Sequence, residues 1–349
     1  MAKKDDKQIS LLPKLKNAIK ERQLDRLYIF HGEEAFLRNH YLSQMKKILV
    51  DDLTESFNYH KLTKETFDLR AFADAVESLP MMAENTFVLV DDIDLFKLPD
   101  TDREKLVDIF SDIPDYCTVV LTYEATEWKP DKRLKKLWSA IEENATIVEF
   151  AKQEQRDLIN WVGRHFAANK KQIAPNLCSY LIDITGGTMT ALAGEITKIC
   201  AFSGADTIVK SDIDAVVEPV LDAIVFDITD CLGDGKYELA LKKMQDVLKK
   251  QEEPLAVLGA IGAHFRRISA ARIMRDNGKN ASDLMQLCRM SDYAARRTME
   301  KAKFFRPEYC AKAMELILET DYALKTSKDT PERLMELLIL QLAQEARNG

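Results

Sequence analysis

Apolar residues at Leu69, Phe72, Val76 and Leu79 recur at spacings of three and four, which predicts an amphipathic helix over Asp68 to Leu79 with one apolar face. Asp68 stands where a side-chain oxygen caps the first turn, and Pro80, which has no amide hydrogen, stops the helix. The period then changes. Thr86 to Val90 is an unbroken β-prone run ending at Asp91-Asp92, which predicts a central strand of a parallel sheet with acidic residues at its carboxyl end. Met81 and Met82 lie between helix and strand. Their flexible thioether side chains have two readings: adaptable filler beneath the sheet, or an apolar plug for a partner's pocket.

The same alternation runs through the first 150 residues. A helix over Ser10 to Arg22, with Ser10 as its cap and Pro13 in its first turn, precedes a buried strand at Leu27 to Phe30. That strand runs into His31-Gly32-Glu33-Glu34 and a helix from Ala35 to about Val50. An edge strand at Asn58 to Leu62 and further strands at Thr118 to Thr122 and Thr146 to Phe150 complete the set. Strands alternating with helices predict a doubly wound, mostly parallel sheet. The opening order of strand, turn and helix is that of a nucleotide-binding domain, but GxxxxGK[ST] is missing. Phosphate binding there needs glycine amides, a lysine and a hydroxyl, and this turn offers one glycine and two carboxylates. Asp91-Asp92 resembles the metal-holding end of a Walker B strand. With no phosphate loop to partner it, a capped strand end is the simpler reading.

Trp128 to Ile141 gathers Lys129, Lys132, Arg133, Lys135 and Lys136 around a single Asp131. Such a run is either the solvated face of a surface helix or a contact with a nucleic-acid backbone or a neighbouring subunit. Beyond Phe150 the strand signals nearly vanish. Helices are predicted over Gln153–Ala168, Asn176–Ile184, Met189–Phe202 and Ser211–Val217, with a break at Thr185-Gly186-Gly187. From Asp222 on, every segment reads as helix: Asp222–Leu232 with a stop at Gly233-Asp234-Gly235, Tyr237–Lys249, Glu253 to about Asp276, Ser282–Leu287, Asp292–Phe304, Pro307 to about Thr326, and Pro331–Ala346 with Thr330 as cap. The fold class is therefore α/β plus all-α, in three parts: an α/β domain at 1–150, a small helical lid at 151–218 and an all-helical domain at 219–349. An α/β domain followed by a helical lid is the order of an AAA+ module.

Composition narrows the chemistry. Fifty Lys plus Arg against 57 Asp plus Glu give a formal charge of −7, so bulk charge does not drive tight autonomous DNA binding. No apolar run is long enough to span a bilayer, and the charged start MAKKDDKQ reads as a disordered cytosolic beginning. The six cysteines form no CxxC pair and have no histidine at ligand spacing, so neither a metal site nor a disulfide framework is expected. No histidine is paired in sequence with a plausible nucleophile.

LYIFHGEEAFLRNHYL, ESLPMMAENTFVLVDD, GGTMTALAGEITKICAFSG with the following SDIDAVV, and FDITDCLGDGKYELALKKMQDVL with EEPLAVLGAIGAHFRRI stand in this order along the chain. In order and spacing the chain resembles the delta subunits of the bacterial DNA polymerase III clamp loader over nearly its full length. The resemblance implies two AAA+-like domains and a helical collar in a hetero-pentameric ring with tau/gamma and delta-prime subunits. It implies no ATP site and no cofactor in this chain, no catalysis by the chain itself within a DNA polymerase holoenzyme, and a cytoplasmic place beside primed DNA. It further implies a hydrophobic wedge that enters a pocket on the sliding clamp and opens it. By position that wedge is Leu79, Met81 and Met82; family members often carry a bulky aromatic there, where this chain has methionine twice.

Rival readings are an AAA+ ATPase with a divergent phosphate loop, against which the missing GK[ST] speaks, and another non-catalytic ring subunit of the delta-prime type. The second would be expected to bring a zinc-binding cysteine cluster and an SRC-type motif, neither of which is in the sequence. An autonomous nucleic-acid module built on Trp128 to Ile141 is a third.

Overall fold

The computed structural model describes residues 11–250 and 252–347, which divide into two compact units that meet in sequence at Gln153 and Glu154. The expected cap Ser10 and the charged start lie outside the described residues. The first unit runs α1 (Leu12–Glu21), β1 (Leu27–His31), α2 (Ala35–Leu49), α3 (Glu55–Asn58), β2 (Tyr59–Leu62), α4 (Leu69–Glu77), β3 (Thr86–Asp91), α5 (Asp100–Ser111), β4 (Cys117–Thr122), α6 (Lys135–Asn144) and β5 (Ala145–Glu149). All five strands are parallel, in the order β2-β3-β4-β1-β5.

Side chains alternate across the sheet, as a strand's period of two requires. Leu27, Ile29, Val88, Val90, Val119 and Leu121 face one layer with Phe72 and Val76 of α4, Leu106 and Phe110 of α5, and Leu137 and Ile141 of α6. Tyr28, Phe30, Phe87, Leu89, Val120 and Val148 face the other with Leu15 of α1 and Met45 of α2. This is the doubly wound parallel sheet the alternation predicts. Thr86–Val90 is an interior strand and Tyr59–Leu62 an edge, as expected. The connections from β1 and β4 leave to opposite faces, so the crevice at their carboxyl ends is where sheets of this kind hold ligands.

The second unit is helical: α7 (Gln155–Ala168), α8 (Pro175–Ile184), α9 (Met189–Phe202), α10 (Lys210–Val216), α11 (Leu221–Gly233), α12 (Tyr237–Lys249), α13 (Pro254–Asp276), α14 (Ala281–Cys288), α15 (Asp292–Lys301), α16 (Pro307–Thr326) and α17 (Pro331–Arg347). Two short parallel strands that periodicity did not disclose, β6 (Gln172–Ile173) and β7 (Thr207–Ile208), pair beside α7. Val225, Met244, Ile261, Phe265, Ile317, Leu338 and Leu342 belong to one apolar core shared by α11, α12, α13, α16 and α17. Arg297 of α15 reaches Asp227 and Asp230 of α11 at 2.8 and 2.7 Å, and Ser291 donates to Asp183 of α8 at 2.9 Å.

His264 of α13 is buried against the Phe226 ring, with centroids 3.9 Å apart. Burial, and then the nearby Arg267 and Arg297 charges, push its imidazole down to about 3. The folded state therefore binds fewer protons here than the unfolded one, and stability from this site is lost as pH falls from about 6.5 toward 3, by up to about 1.4 kcal/mol per pH unit. Asp183, raised by burial to about 6, carries the opposite slope between its ordinary value and that pH. Comparison of His264→Phe with the parent protein cancels the Asp183 contribution. Urea denaturation of both proteins from pH 7 to 4 is expected to show a shallower acid loss in the variant; identical slopes would mean the imidazole takes up its proton as readily in the fold as in the unfolded chain.

Candidate functional site

The candidate site is the loop from Ser78 to Asn85 between α4 and β3. Asp68 caps α4 by accepting from the Arg70 and Ala71 amides at 3.1 and 3.3 Å, and the helix ends at Glu77, whose carbonyl accepts from the Tyr116 hydroxyl at 3.1 Å. This corrects the expected helix end. Ser78 is already extended, and the proline at 80 disfavours helical geometry at Leu79. Leu79 consequently leaves the buried face that its spacing assigned to it and stands 75% exposed. Met81 and Met82 are 54% and 94% exposed. The reading of the methionines as filler beneath the sheet is overturned by that exposure.

The tip is held, not loose. Asn58, fully buried at the end of α3, donates from Nδ2 to the Met81 carbonyl at 2.9 Å and accepts the Met81 amide on Oδ1 at 2.7 Å. One side chain thereby satisfies both polar groups of the Met81 backbone. Met82 adopts φ of 55°, in the left-handed region, at a cost of about 1 to 2 kcal/mol for a residue with a Cβ. A strained, anchored turn that projects apolar side chains is the form of a docking element. Sequence reasoning missed Asn58, which it placed at the start of an edge strand; an asparagine breaking the β-branched and aromatic run was the available signal.

The turn after β1 has a different character. Gly32 has φ of 113°, and the Glu34 amide donates to the Phe150 carbonyl at 2.9 Å. Arg38 of α2 is almost wholly buried. Its guanidinium donates to the Gly32 carbonyl at 3.2 Å and to the Tyr123 carbonyl at 3.5 Å, and it pairs with the Glu124 carboxylate. This arginine fills the crevice between the ends of β1 and β4. Glu34, four residues before it, has its carboxyl pushed above the usual range by burial.

Asp91 and Asp92 are also engaged internally. Asp91 accepts the Thr122 hydroxyl at 2.6 Å and pairs with Lys61 at 2.9 Å. Asp92, at φ of 58°, accepts the amides of Glu124, Ala125 and Thr126 on one oxygen at 2.8, 2.9 and 2.9 Å. They make a capped strand end. Among the described residues no group of three or more His, Cys, Asp or Glu is arranged to hold a metal ion.

The basic run is only partly helical, which corrects its reading as one helix face. α6 begins at Lys135, so Lys129, Lys132 and Arg133 lie in the turn before it. Lys129 pairs with Glu127 at 2.5 Å, Lys132 sits over the Trp138 ring, and Lys136 is 3.8 Å from Glu104. Arg133 binds Asp131 at 2.7 Å, and its hydrogen bonds hold that carboxyl down to about 2. Lys135 and Lys136 occupy the first turn of α6.

Family models described as DNA polymerase III, delta subunit, and DNA polymerase III delta subunit, C-terminal domain, match residues 28–151 and 222–342. The chain belongs to the DNA polymerase III delta subunit family. It is 25% identical over 332 residues to the DNA polymerase III subunit delta of Bacillus subtilis (strain 168), covering 93% of this chain and 95% of that one. It is 20% identical over 270 residues to the probable DNA polymerase III subunit delta of Aquifex aeolicus (strain VF5), covering 75% of each. Among solved structures, the Bacillus subtilis DNA clamp loader delta protein superposes with a TM-score of 0.61 at 23% identity, over 95% of this chain and 99% of that one. The delta-family fold thus extends through both units. No described helix is long and apolar enough to cross a membrane.

Proposed function

We propose that this delta-family chain is the clamp-opening subunit of a replicative clamp loader, and that Leu79, Met81 and Met82 enter an apolar pocket on the sliding clamp. The observation that carries the reading is the anchored tip: three apolar side chains held out in water by a backbone that Asn58 fixes. Burying each contributes up to about 1.5 to 3 kcal/mol before the costs of association. Binding by itself opens nothing. The tip shifts the clamp toward an open ring only by as much as it prefers the open form over the closed one.

In this reading residues 1–150 bind the clamp, 151–218 form the lid and 219–349 the collar. The chain joins tau/gamma and delta-prime subunits in a hetero-pentameric ring in the cytoplasm. ATP bound by neighbours gates access to the tip, and the chain itself performs no chemistry and needs no cofactor. Lys135 and Lys136 lie where a helix amino terminus adds positive potential, which suits the backbone of primed DNA or a neighbouring subunit. Lys129, Lys132 and Arg133, largely spent on local partners, would contribute less.

The test compares affinity of the purified chain for the closed ring clamp and for a clamp variant held monomeric by substitutions in its own ring interface. At least about tenfold tighter binding to the monomer is expected, equivalent to about 1.4 kcal/mol of preference. Equal affinity for the two would sink the opening role while leaving clamp binding in place.

A further inference from the structure

A second pair of exposed apolar side chains stands on the segment that holds the tip. Leu53 is 91% exposed and Phe57 54%, and neither joins either apolar layer of the first unit. The segment is well braced. The Leu53 amide donates to the Asp51 carboxylate at 2.8 Å, the Phe57 amide donates to the Thr54 carbonyl at 3.0 Å, and Glu55 pairs with Lys46 of α2 at 2.7 Å. Phe57 immediately precedes Asn58, whose buried amide makes both hydrogen bonds to Met81. Two stretches of chain 23 residues apart are thus locked together at the point where each presents apolar groups to water.

We infer that Leu53 and Phe57 form one continuous contact surface with Leu79, Met81 and Met82, and that Phe57 is a second anchor on the sliding clamp. The inference rests on the clamp-binding reading of the methionine tip. Continuity supplies the occupant: a partner that seats Met81 brings its own surface over the residue beside Asn58. The chemistry of the two anchors differs usefully. A methionine adapts to its pocket but surrenders three side-chain rotations on binding, whereas a phenylalanine ring surrenders two and buries a larger rigid face. Aromatic side chains at the centre of an apolar patch are the residues on which interface affinity concentrates. The surface facing Phe57 on the clamp is therefore an apolar recess next to the one that takes the methionines.

The experiment measures clamp affinity of the full chain carrying Phe57→Ser, Leu53→Ser, the double substitution Met81→Ser with Met82→Ser, and Phe202→Ser, an exposed aromatic of the second unit, as control. Circular dichroism and melting temperature confirm that each is folded. The expected result is a loss of at least about fivefold for Phe57→Ser, a smaller loss for Leu53→Ser, a large loss for the methionine pair, and none for Phe202→Ser. A loss for the methionine pair with less than fivefold for folded Phe57→Ser overturns the second anchor and leaves the tip standing. Undiminished binding by the methionine variant removes the tip reading and this inference with it. Equal losses for Phe57→Ser and Phe202→Ser also overturn the second anchor, because the effect would not belong to this surface.

Discussion

Replacement of Met81 and Met82 together by serine is expected to abolish measurable clamp binding while leaving the melting temperature unchanged. The two halves of that result come from the same exposure. Met82 is almost fully in water and Met81 more than half, so neither supports the core, and surface substitutions of this kind shift stability within about 0.5 kcal/mol. Seated in a pocket, each methionine would bury enough apolar area to contribute about 1.5 to 3 kcal/mol, and serine recovers almost none of it. The combined loss corresponds to roughly a hundredfold or more in affinity. Calorimetric titration of the folded variant into clamp measures it. Binding within a factor of two of the parent would mean that the thioethers are spectators and that the contact lies elsewhere. The backbone of the tip is anchored by Asn58 through main-chain groups of residue 81, so the serine side chains do not dismantle the turn that carries them.

The largest stability effect is expected from Gly32→Ala. A Cβ at this position would stand 2.4 Å from the Phe150 carbonyl oxygen and 2.7 Å from its carbon, both backbone atoms, and the φ of 113° is one that residues with a Cβ rarely adopt. Relaxation is blocked on both sides. The Phe150 amide donates to the His31 carbonyl at 2.7 Å and the Glu34 amide to the Phe150 carbonyl at 2.9 Å, so moving either strand end breaks hydrogen bonds. The variant should lose at least about 3 kcal/mol, and the transition of the first unit should fall by about 6 to 12 °C. Thermal melting followed by circular dichroism reads this directly. A shift under about 2 °C would show that the turn has another conformation close in energy.

The sheet was legible because its inner strands are buried on both faces, and such strands are written as unbroken apolar runs: LYIF, TFVLV and TVVLT each became a strand within a residue of its expected bounds. The Asp68 cap was equally plain, since a lone carboxylate before an apolar period has few other roles. The helix end was misread because Leu79 satisfies the three-residue spacing, and spacing alone cannot reveal that a proline one residue later turns the chain out of register. Strands β6 and β7 are two residues long, below what any period resolves. At the candidate site, Met81 and Met82 were visible as chemistry, but core filler and exposed plug both stayed open, because a methionine beside a buried strand suits a core as well as a surface. Leu53 and Phe57 were silent for the converse reason: two apolar residues four apart suit the buried side of a helix, and only the fold shows that both stand exposed.

Asp92 gives the first unit a property beyond stability. Its single oxygen collects three consecutive backbone amides at the end of β4, a cradle of the sort that takes phosphate oxygens elsewhere. Because this carboxylate is tethered to the chain, its effective concentration at the cradle exceeds that of any free phosphate, and exchange would require breaking three hydrogen bonds at once. The strand ends around the crevice are therefore held in place by the chain's own carboxylate.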